Sequence, residues 1–180
     1  FIDKHAEKTP LSFGTFTIEK FACDVNYSIE QDGRKHFSST TSTEANTDLA
    51  HHLQSLAPGR YELHCRTSFS DSLEYAGSQA FYLFDSKKIG KLKDLRAPLL
   101  LSPGSGHYSA TESPVIYWAS SLPKAYIFYE IYTAQGVLME GLLRSEPGRV
   151  QALPIDLSKR TELPEEINVR FWTVQDGHFI

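Results

Sequence analysis

The segment from Ala125 to Arg144, AYIFYEIYTAQGVLMEGLLR, restricts the fold of this chain more than any other stretch. Aromatic and β-branched residues alternate from Tyr126 to Thr133 with a period of two, which places successive side chains on opposite faces of a strand. Ala134-Gln135-Gly136 then predicts a tight turn, because glycine adopts the positive φ that such turns need. Val137 to Leu143 returns as the partner strand. A hairpin this apolar is not stable alone and predicts a second sheet that covers it.

Both halves of the chain repeat a plan of short strands separated by turn residues. Such strands at spacings of about 8 to 12 residues are typical of β-sandwiches rather than of alternating strands and helices. Asp32-Gly33 is the strongest hairpin signal, and Ser38 to Thr47 predicts a polar edge followed by a loop. The predicted strands are residues 13–29, 35–41, 59–69, 73–84, 99–101, 115–119, 126–133, 137–143, 148–153 and 167–174, with a short run at 178–180.

One segment departs from the strand period and predicts a short helix near residues 48–56. Leu49, Leu53 and Leu56 recur at the spacing of one helix face, and Asp48 is the candidate N-cap. We expect this helix to pack against an edge of the first sandwich.

A change in composition predicts the boundary between two domains. Residues 85–96 are rich in lysine and poor in aromatic residues, as expected of a solvated connector that ends at Ala97-Pro98. We therefore predict domains at residues 1–90 and 91–180, with Phe1 to Pro10 as a loosely held lead-in.

Composition and charge exclude several classes of function. Hydrophobic residues make up 41% and charged residues 22% of the chain, which are ordinary values for a globular protein. The net charge of −4 predicts no binding to nucleic acid, and no apolar run reaches the length of about 20 residues that direct membrane insertion requires. The chain begins at Phe1 and its only methionine is Met139, so we expect a processed chain or a piece of a longer one.

Cys23 and Cys65 are the two cysteines, and both lie in strand-like alternations on the side of the large apolar residues. A buried pair of this kind can form a disulfide across a sandwich in an oxidising compartment. The alternative is two buried free thiols that pack as small hydrophobic side chains. Neither cysteine has the spacing of a zinc ligand, so no metal site is predicted.

The search for catalytic groups leads to no predicted active site. Ser105 and His107 lie in a glycine-rich turn but lack the strand-turn-helix context of a nucleophile and a positioned carboxylate. A glycosidase needs two carboxylates about 5 to 9 Å apart across a cleft. The candidates for such a pair in this sequence are Glu62, Glu130, Glu165 and Glu166. We predict no enzyme activity, no catalytic or cofactor-binding residue and no cofactor.

Glu130 is unusual because it is a carboxylate within the most apolar strand. We expect it on the solvent face beside Tyr126 and Phe128, or paired with Arg144 or Arg170. The dense aromatic residues of this strand allow two interpretations. They form either a surface that stacks on sugars or binds a protein, or part of the core.

The run Leu56-Ala57-Pro58-Gly59-Arg60-Tyr61-Glu62-Leu63, followed by a strand, a turn and a strand ending in FYLF, resembles macroglobulin-like domains. In the second half, SPVIYWASS, AYIFYEIYTAQGVLMEGLL and INVRFWTVQDGHFI are similar in order and spacing to a further such domain. Across about residues 48 to 180 the chain thus resembles the bacterial alpha-2-macroglobulin family, in particular its large Bacteroidetes-type members.

The resemblance implies two tandem immunoglobulin- or fibronectin-like antiparallel β-sandwich domains within a large periplasmic or surface protein of a Gram-negative bacterium. Members of the family trap proteases through a bait region and, in many cases, a thioester. This chain has no C-x-E-Q thioester motif, so the implied role is structural, with the neighbouring domains of the parent chain as partners and proteases as partners of the parent. The alternative is a carbohydrate- or protein-binding accessory sandwich, and an enzyme domain is the third hypothesis.

Overall fold

The computed structural model describes residues 1–7, 10–11, 24–42, 47–70, 73–103, 108, 112–158, 163–175 and 178–179. Nearly all of their regular structure is strand, so the predicted all-β class is confirmed. The chain divides into two compact units, Phe1–Asp85 and Ser86–Ile180. The predicted boundary after residue 90 therefore lies inside the second unit.

The first unit is built on a five-stranded sheet. Its elements in chain order are β1 (Ile2–Asp3), β2 (Pro10–Leu11), β3 (Asp24–Gln31), β4 (Arg34–Ser42), β5 (Thr47–Asp48), α1 (Ala50–Gln54), β6 (Gly59–Ser70) and β7 (Leu73–Phe84). The strand order is β1-β7-β6-β3-β4, and β2 pairs with β5 separately. All neighbours in the large sheet are antiparallel except β1, which runs parallel to β7.

The turn between β3 and β4 is the predicted Asp-Gly hairpin turn. Asp32 and Gly33 have φ values of 50° and 75°, the pair of positive angles that defines a type I′ turn. The pairing of the two strands shifts by one residue between Ile29 and Glu30. As predicted, β4 lies at the edge of the sheet.

The helix α1 packs on a face of the sheet and not against its edge, which corrects our expectation. Leu49, Leu53 and Leu56 are buried in one cluster with Tyr27, Ile29, Tyr61 and Leu83 of the sheet. The three leucines supply more apolar area than a strand edge can cover, so burial places them over the face.

The predicted N-cap of this helix is also wrong by one residue. Leu49 is the N-cap and makes no side-chain capping bond. The Oδ1 of Asp48 instead accepts the backbone N–H of Ala50 at 2.9 Å. The carboxylate thus still satisfies a backbone donor at the start of the helix, from the preceding position.

The first residues are not a loose lead-in, contrary to our expectation. Ile2 and Asp3 form β1, the ring of Phe1 stacks on Phe84 at 4.4 Å, and Lys4 donates its backbone N–H to the Phe84 carbonyl at 2.8 Å. The segment is polar overall, but its two apolar residues, Phe1 and Ile2, are enough to attach it to the sheet.

The second unit contains two sheets that share one core. Its strands are β8 (Leu100–Ser102), β9 (Val115–Ala119), β10 (Tyr126–Thr133), β11 (Gly136–Arg144), β12 (Gln151–Pro154), β13 (Asn168–Gln175) and β14 (His178–Phe179). One sheet has the order β11-β10-β13-β14 and the other β12-β9-β8, and all of these pairs are antiparallel. The core consists of Ile116, Trp118, Ile127, Tyr129, Ile131, Leu153, Ile155 and Phe171, from strands of both sheets and the residue after β12.

The central hairpin β10–β11 forms as the sequence predicts. Gly136 has a φ of 126°, and Ile127, Tyr129, Ile131 and Thr133 are all buried. Within the hairpin, Tyr129 lies opposite Gly141. A Cβ added at Gly141 would lie 2.7 Å from the Tyr129 hydroxyl, so the absence of a side chain there makes room for the buried phenol.

The lysine-rich segment is not only a solvated connector, which corrects the sequence prediction. Leu92 is buried and donates its N–H to the Gly148 carbonyl at 2.8 Å, while Val150 donates to the Gly90 carbonyl at 3.0 Å. Lys91 and Arg149 form an antiparallel bridge between these bonds. A single buried leucine and backbone hydrogen bonds attach the segment, and neither shows in its composition.

Candidate binding surfaces

The outward side of the sheet β11-β10-β13-β14 carries a patch of apolar and aromatic side chains, which we call the aromatic face. The strand register places Phe128 directly between Leu142 and Trp172. Tyr126 is 56% and Leu142 52% exposed, values that are high for side chains of this size. The aromatic face consists of Tyr126, Phe128, Tyr132, Leu142, Trp172 and Val174.

Ring contacts and one ion pair organise the aromatic face. Phe128 and Trp172 stack with their centroids 5.8 Å apart and their planes 12° from parallel. The guanidinium of Arg170 lies over the Tyr132 ring at 5.7 Å and reaches the Glu130 carboxylate at 3.6 Å. The expectation that Glu130 lies on the solvent side of this strand is confirmed, and of the two proposed arginines it is Arg170 that pairs with it.

The aromatic residues of this strand lie on both sides of the sheet, so one side contributes to the core and the binding role of the exposed side stays a prediction. Ile127, Tyr129 and Ile131 fill the core, while Tyr126 and Phe128 are exposed on the opposite side. A contiguous exposed apolar patch of this kind is typical of a surface that contacts another molecule or domain.

A second surface lies on the outer side of the large sheet in the first unit, and we call it the polar groove. It is a concave region of about 890 Å³. The strand register aligns its side chains in rows that cross β4, β3, β6 and β7: Thr40, Asn26, Arg66 and Ala76 in one row, and Ser38, Ser28, His64 and Ser78 in the next. Glu30, Lys35 and Glu62 follow in a third row.

Hydrogen bonds hold several groups of the polar groove in place. Thr40 donates to the Asn26 side-chain oxygen at 2.7 Å, and the buried Ser28 donates to Glu30 at 3.0 Å. The Nε2 of His64 lies 3.8 Å from a carboxylate oxygen of Glu30 and 3.5 Å from one of Glu62. The groove therefore offers hydroxyl, amide, imidazole and carboxylate groups in fixed positions.

The structure places each of the candidate carboxylates on a surface of its own unit. Glu62 lines a small concavity of about 200 Å³ beside the polar groove and pairs with Arg60 at 2.8 Å, and Glu130 lies on the aromatic face. Glu165 and Glu166 line another concavity, of about 530 Å³, in the second unit, beside Ile116, Ile155 and Ile167. Ser105 and His107 lie outside the described residues.

Cys65 is half-buried and forms no disulfide with any of the described residues, and burial raises the pKa of its thiol above the usual value. Cys23 lies outside the described residues, so the pairing of the two cysteines stays a prediction. Burial also raises the pKa of Tyr61, whose hydroxyl donates to the Ala57 carbonyl at 2.7 Å.

In the described part of the chain, no cluster of three or more histidine, cysteine or acidic side chains has an arrangement that could hold a metal ion. Within the same residues, no helix has the length and apolar character needed to cross a bilayer. Comparisons with protein-family models, with curated proteins and with solved structures found no match.

The sequence pointed to the aromatic face, because the alternation from Tyr126 to Thr133 leaves aromatic residues on both sides of the strand. It did not point to the polar groove. The available signal was the polar alternation of Asn26, Ser28 and Glu30, which becomes a surface only when the register with β4 and β6 is known.

Proposed function

We propose that this chain is a non-catalytic structural part of a larger protein of the alpha-2-macroglobulin type, exported to the periplasm or cell surface of a Gram-negative bacterium. Its partners are neighbouring domains of the parent chain, and any trapping of proteases belongs to the parent. The sequence resemblance in both halves suggests the family, and the two successive compact units with antiparallel sheets are compatible with it.

The observation that carries the structural role is the aromatic face. Tyr126, Phe128 and Leu142 are exposed, and exposing them to water is unfavourable by roughly 25 cal/mol for each Å² of apolar surface. Contact with a neighbouring domain removes this cost. Interfaces are enriched in aromatic residues and arginine, and this face combines Phe128 and Trp172 with Arg170.

Hydroxyl-radical footprinting of this chain, alone and within its full-length parent, tests the proposal. We expect labelling of Tyr126 and Phe128 to fall several-fold in the parent, because a domain covers them there. Tyr108, an exposed tyrosine away from these strands, serves as the control that keeps its labelling. Equal labelling of Tyr126 and Phe128 in both samples would contradict a structural contact through this face.

The length of the parent reading frame tests the family assignment independently. A chain of well over a thousand residues with many strand-rich repeats would support the family assignment. A chain of a few hundred residues would contradict it. In the second case the accessory binding module becomes the leading function, and the stacked pair Phe128–Trp172 is the observation that favours it, because aromatic platforms of this kind bind sugars or proteins.

A further inference from the structure

We propose that the polar groove of the first unit is a binding site for a neutral oligosaccharide. This site is separate from the aromatic face and does not depend on the proposed structural role. The groove has a volume of about 890 Å³, within the usual range for small-ligand sites.

The shape of the groove follows from the small residues along β7. Ala76, Gly77 and Ser78 line one side of it and leave the space above the neighbouring strands open. One row across the four strands, which lie about 4.8 Å apart, consists in order of Ser38, Ser28, His64 and Ser78, so that three hydroxyl groups and one imidazole lie along it. An extended ligand with repeating polar groups can therefore meet a repeating set of partners along this row.

The chemistry of the groove suits hydroxyl groups, which both donate and accept hydrogen bonds. Asn26, the serines and Thr40 also do both, Glu30 accepts, and Lys35 donates. Ser28 is more than nine-tenths buried and fixes the Glu30 carboxylate at 3.0 Å. The site is thus partly preorganised, which lowers the entropic cost of binding a ligand.

The charges of the groove favour a neutral ligand. Arg66 pairs with Glu74, and Glu62 pairs with Arg60 at 2.8 Å. Glu30 lies opposite Lys35 in the register of β3 and β4. Glu30 also lies opposite Glu62 in the register of β3 and β6, and the Nε2 of His64 lies within 3.8 Å of both carboxylates. Positive and negative groups are therefore mixed along the groove, without the large excess of one sign that an anionic or cationic ligand requires.

The test is a titration of the full chain with cellohexaose, mannohexaose and chitohexaose, followed by two-dimensional NMR of the ¹⁵N-labelled protein. We expect at least one of the three sugars to shift the backbone amide signals of β3, β4 and β6. Hexagalacturonate serves as the acidic comparison. No shifts with any neutral sugar, or binding of hexagalacturonate alone, would overturn the proposal.

Variants locate the binding site once a sugar is found. Ser78→Val removes a hydroxyl group, and Glu30→Gln replaces a charged hydrogen-bond acceptor by a neutral amide, so each should weaken binding about tenfold or more. Glu140→Gln, an exposed carboxylate on β11 in the second unit, is the matched control and should leave affinity unchanged. Circular dichroism checks that each variant is folded, and the NMR mapping of the wild-type chain depends on no variant.

One result would move the site to the other surface. Binding that is lost in Trp172→Ala but kept in Ser78→Val would place the sugar on the aromatic face and overturn the assignment to the groove. That outcome is distinct from failure of the structural role, which footprinting of the parent protein measures.

Discussion

At the scale of single residues, the packing of Tyr129 requires a glycine at position 141. A Cβ at this position would lie 2.7 Å from the hydroxyl oxygen and 2.9 Å from two ring carbons of Tyr129. Alanine in a strand normally stabilises a protein by roughly 0.5 to 1 kcal/mol relative to glycine. At this position the steric clash with Tyr129 outweighs that gain, so the substitution is destabilising. The ring is 7% exposed and has little room to move.

We therefore expect Gly141→Ala to lower the free energy of unfolding by about 1 to 3 kcal/mol, as overpacking typically does. Urea denaturation followed by circular dichroism measures it. Gly90→Ala is the control, because the nearest atom to a Cβ there is 3.9 Å away, and its effect should be near zero. A stability gain in Gly141→Ala would show that Tyr129 relaxes freely.

Tyr61 gives a prediction about alkaline pH. Its pKa is raised above the ordinary value of 10.0, so the folded protein holds the phenol proton more tightly than the unfolded chain does. The resulting stabilisation is fully present below pH 10 and is lost as the pH rises through the folded pKa. Cys65 acts in the same direction from its ordinary value of 9.0.

Tyr61→Phe should thus make the free energy of unfolding fall less steeply above pH 10 than it does in the wild type. At neutral pH the variant should lose about 1 kcal/mol, since the hydrogen bond to the Ala57 carbonyl is removed. Urea midpoints between pH 8 and 11 provide the measurement, in a Cys65→Ala background that removes the thiol titration. A slope in Tyr61→Phe identical to that of the wild type would refute the effect.

At the scale of elements, a buried serine connects the turn before β10 to the end of β11. Ser145 is 3% exposed, donates its hydroxyl to the Leu122 carbonyl at 2.7 Å and accepts the N–H of Ala125 at 2.8 Å. Its own N–H bonds the Ala125 carbonyl at 2.9 Å. The central hairpin is thereby closed at the end opposite its turn.

Removing that hydroxyl should destabilise the second unit. Ser145→Ala leaves the partly buried carbonyl of Leu122 and N–H of Ala125 without this partner, which costs about 1 to 3 kcal/mol. Ser121→Ala is the matched control, because Ser121 is less buried and its hydroxyl makes one longer bond of 3.3 Å to the Arg96 carbonyl. Thermal unfolding of the three proteins gives the comparison, and equal midpoints for both variants would remove the role assigned to Ser145.

Sequence patterns predicted most of these elements because local periodicity and turn residues determine them. The alternation of residues 126–133 and the Asp32-Gly33 turn are examples, and both appear in the structure as predicted. Tertiary contacts decided the rest. The attachment of Leu92 and Phe1 depends on partners far along the chain, and the position of α1 depends on which sheet surface needed covering.

The candidate sites follow the same division. The aromatic face could be predicted in part, since one strand, β10, carries three of its six residues. The polar groove could not, because Asn26, His64 and Ser78 lie on three strands and only their register brings them into neighbouring positions.

At the scale of the whole molecule, the division into two compact units predicts independent folding. The first unit contains its own five-stranded sheet and its own core. The second unit contains its two sheets and the core between them. We expect residues 1–85 and 86–180, expressed separately, each to give a cooperative thermal transition and the near-ultraviolet circular dichroism of packed aromatic side chains. If either half lacks a transition while the whole chain has one, the units depend on each other for folding.

The strand order of the second unit has a consequence for the behaviour of the protein at high concentration. Among the described strands β11 ends the sheet, and it carries Val137 and Leu142 exposed beside two charged residues, Glu140 and Arg144. Natural proteins usually protect edge strands with lysine, proline or a covering segment, because the unpaired backbone groups of an edge strand can pair with strands of other chains. The hairpin β10–β11 thus contributes residues to the core of the second unit and also presents an edge strand, β11, at which two molecules can begin to aggregate.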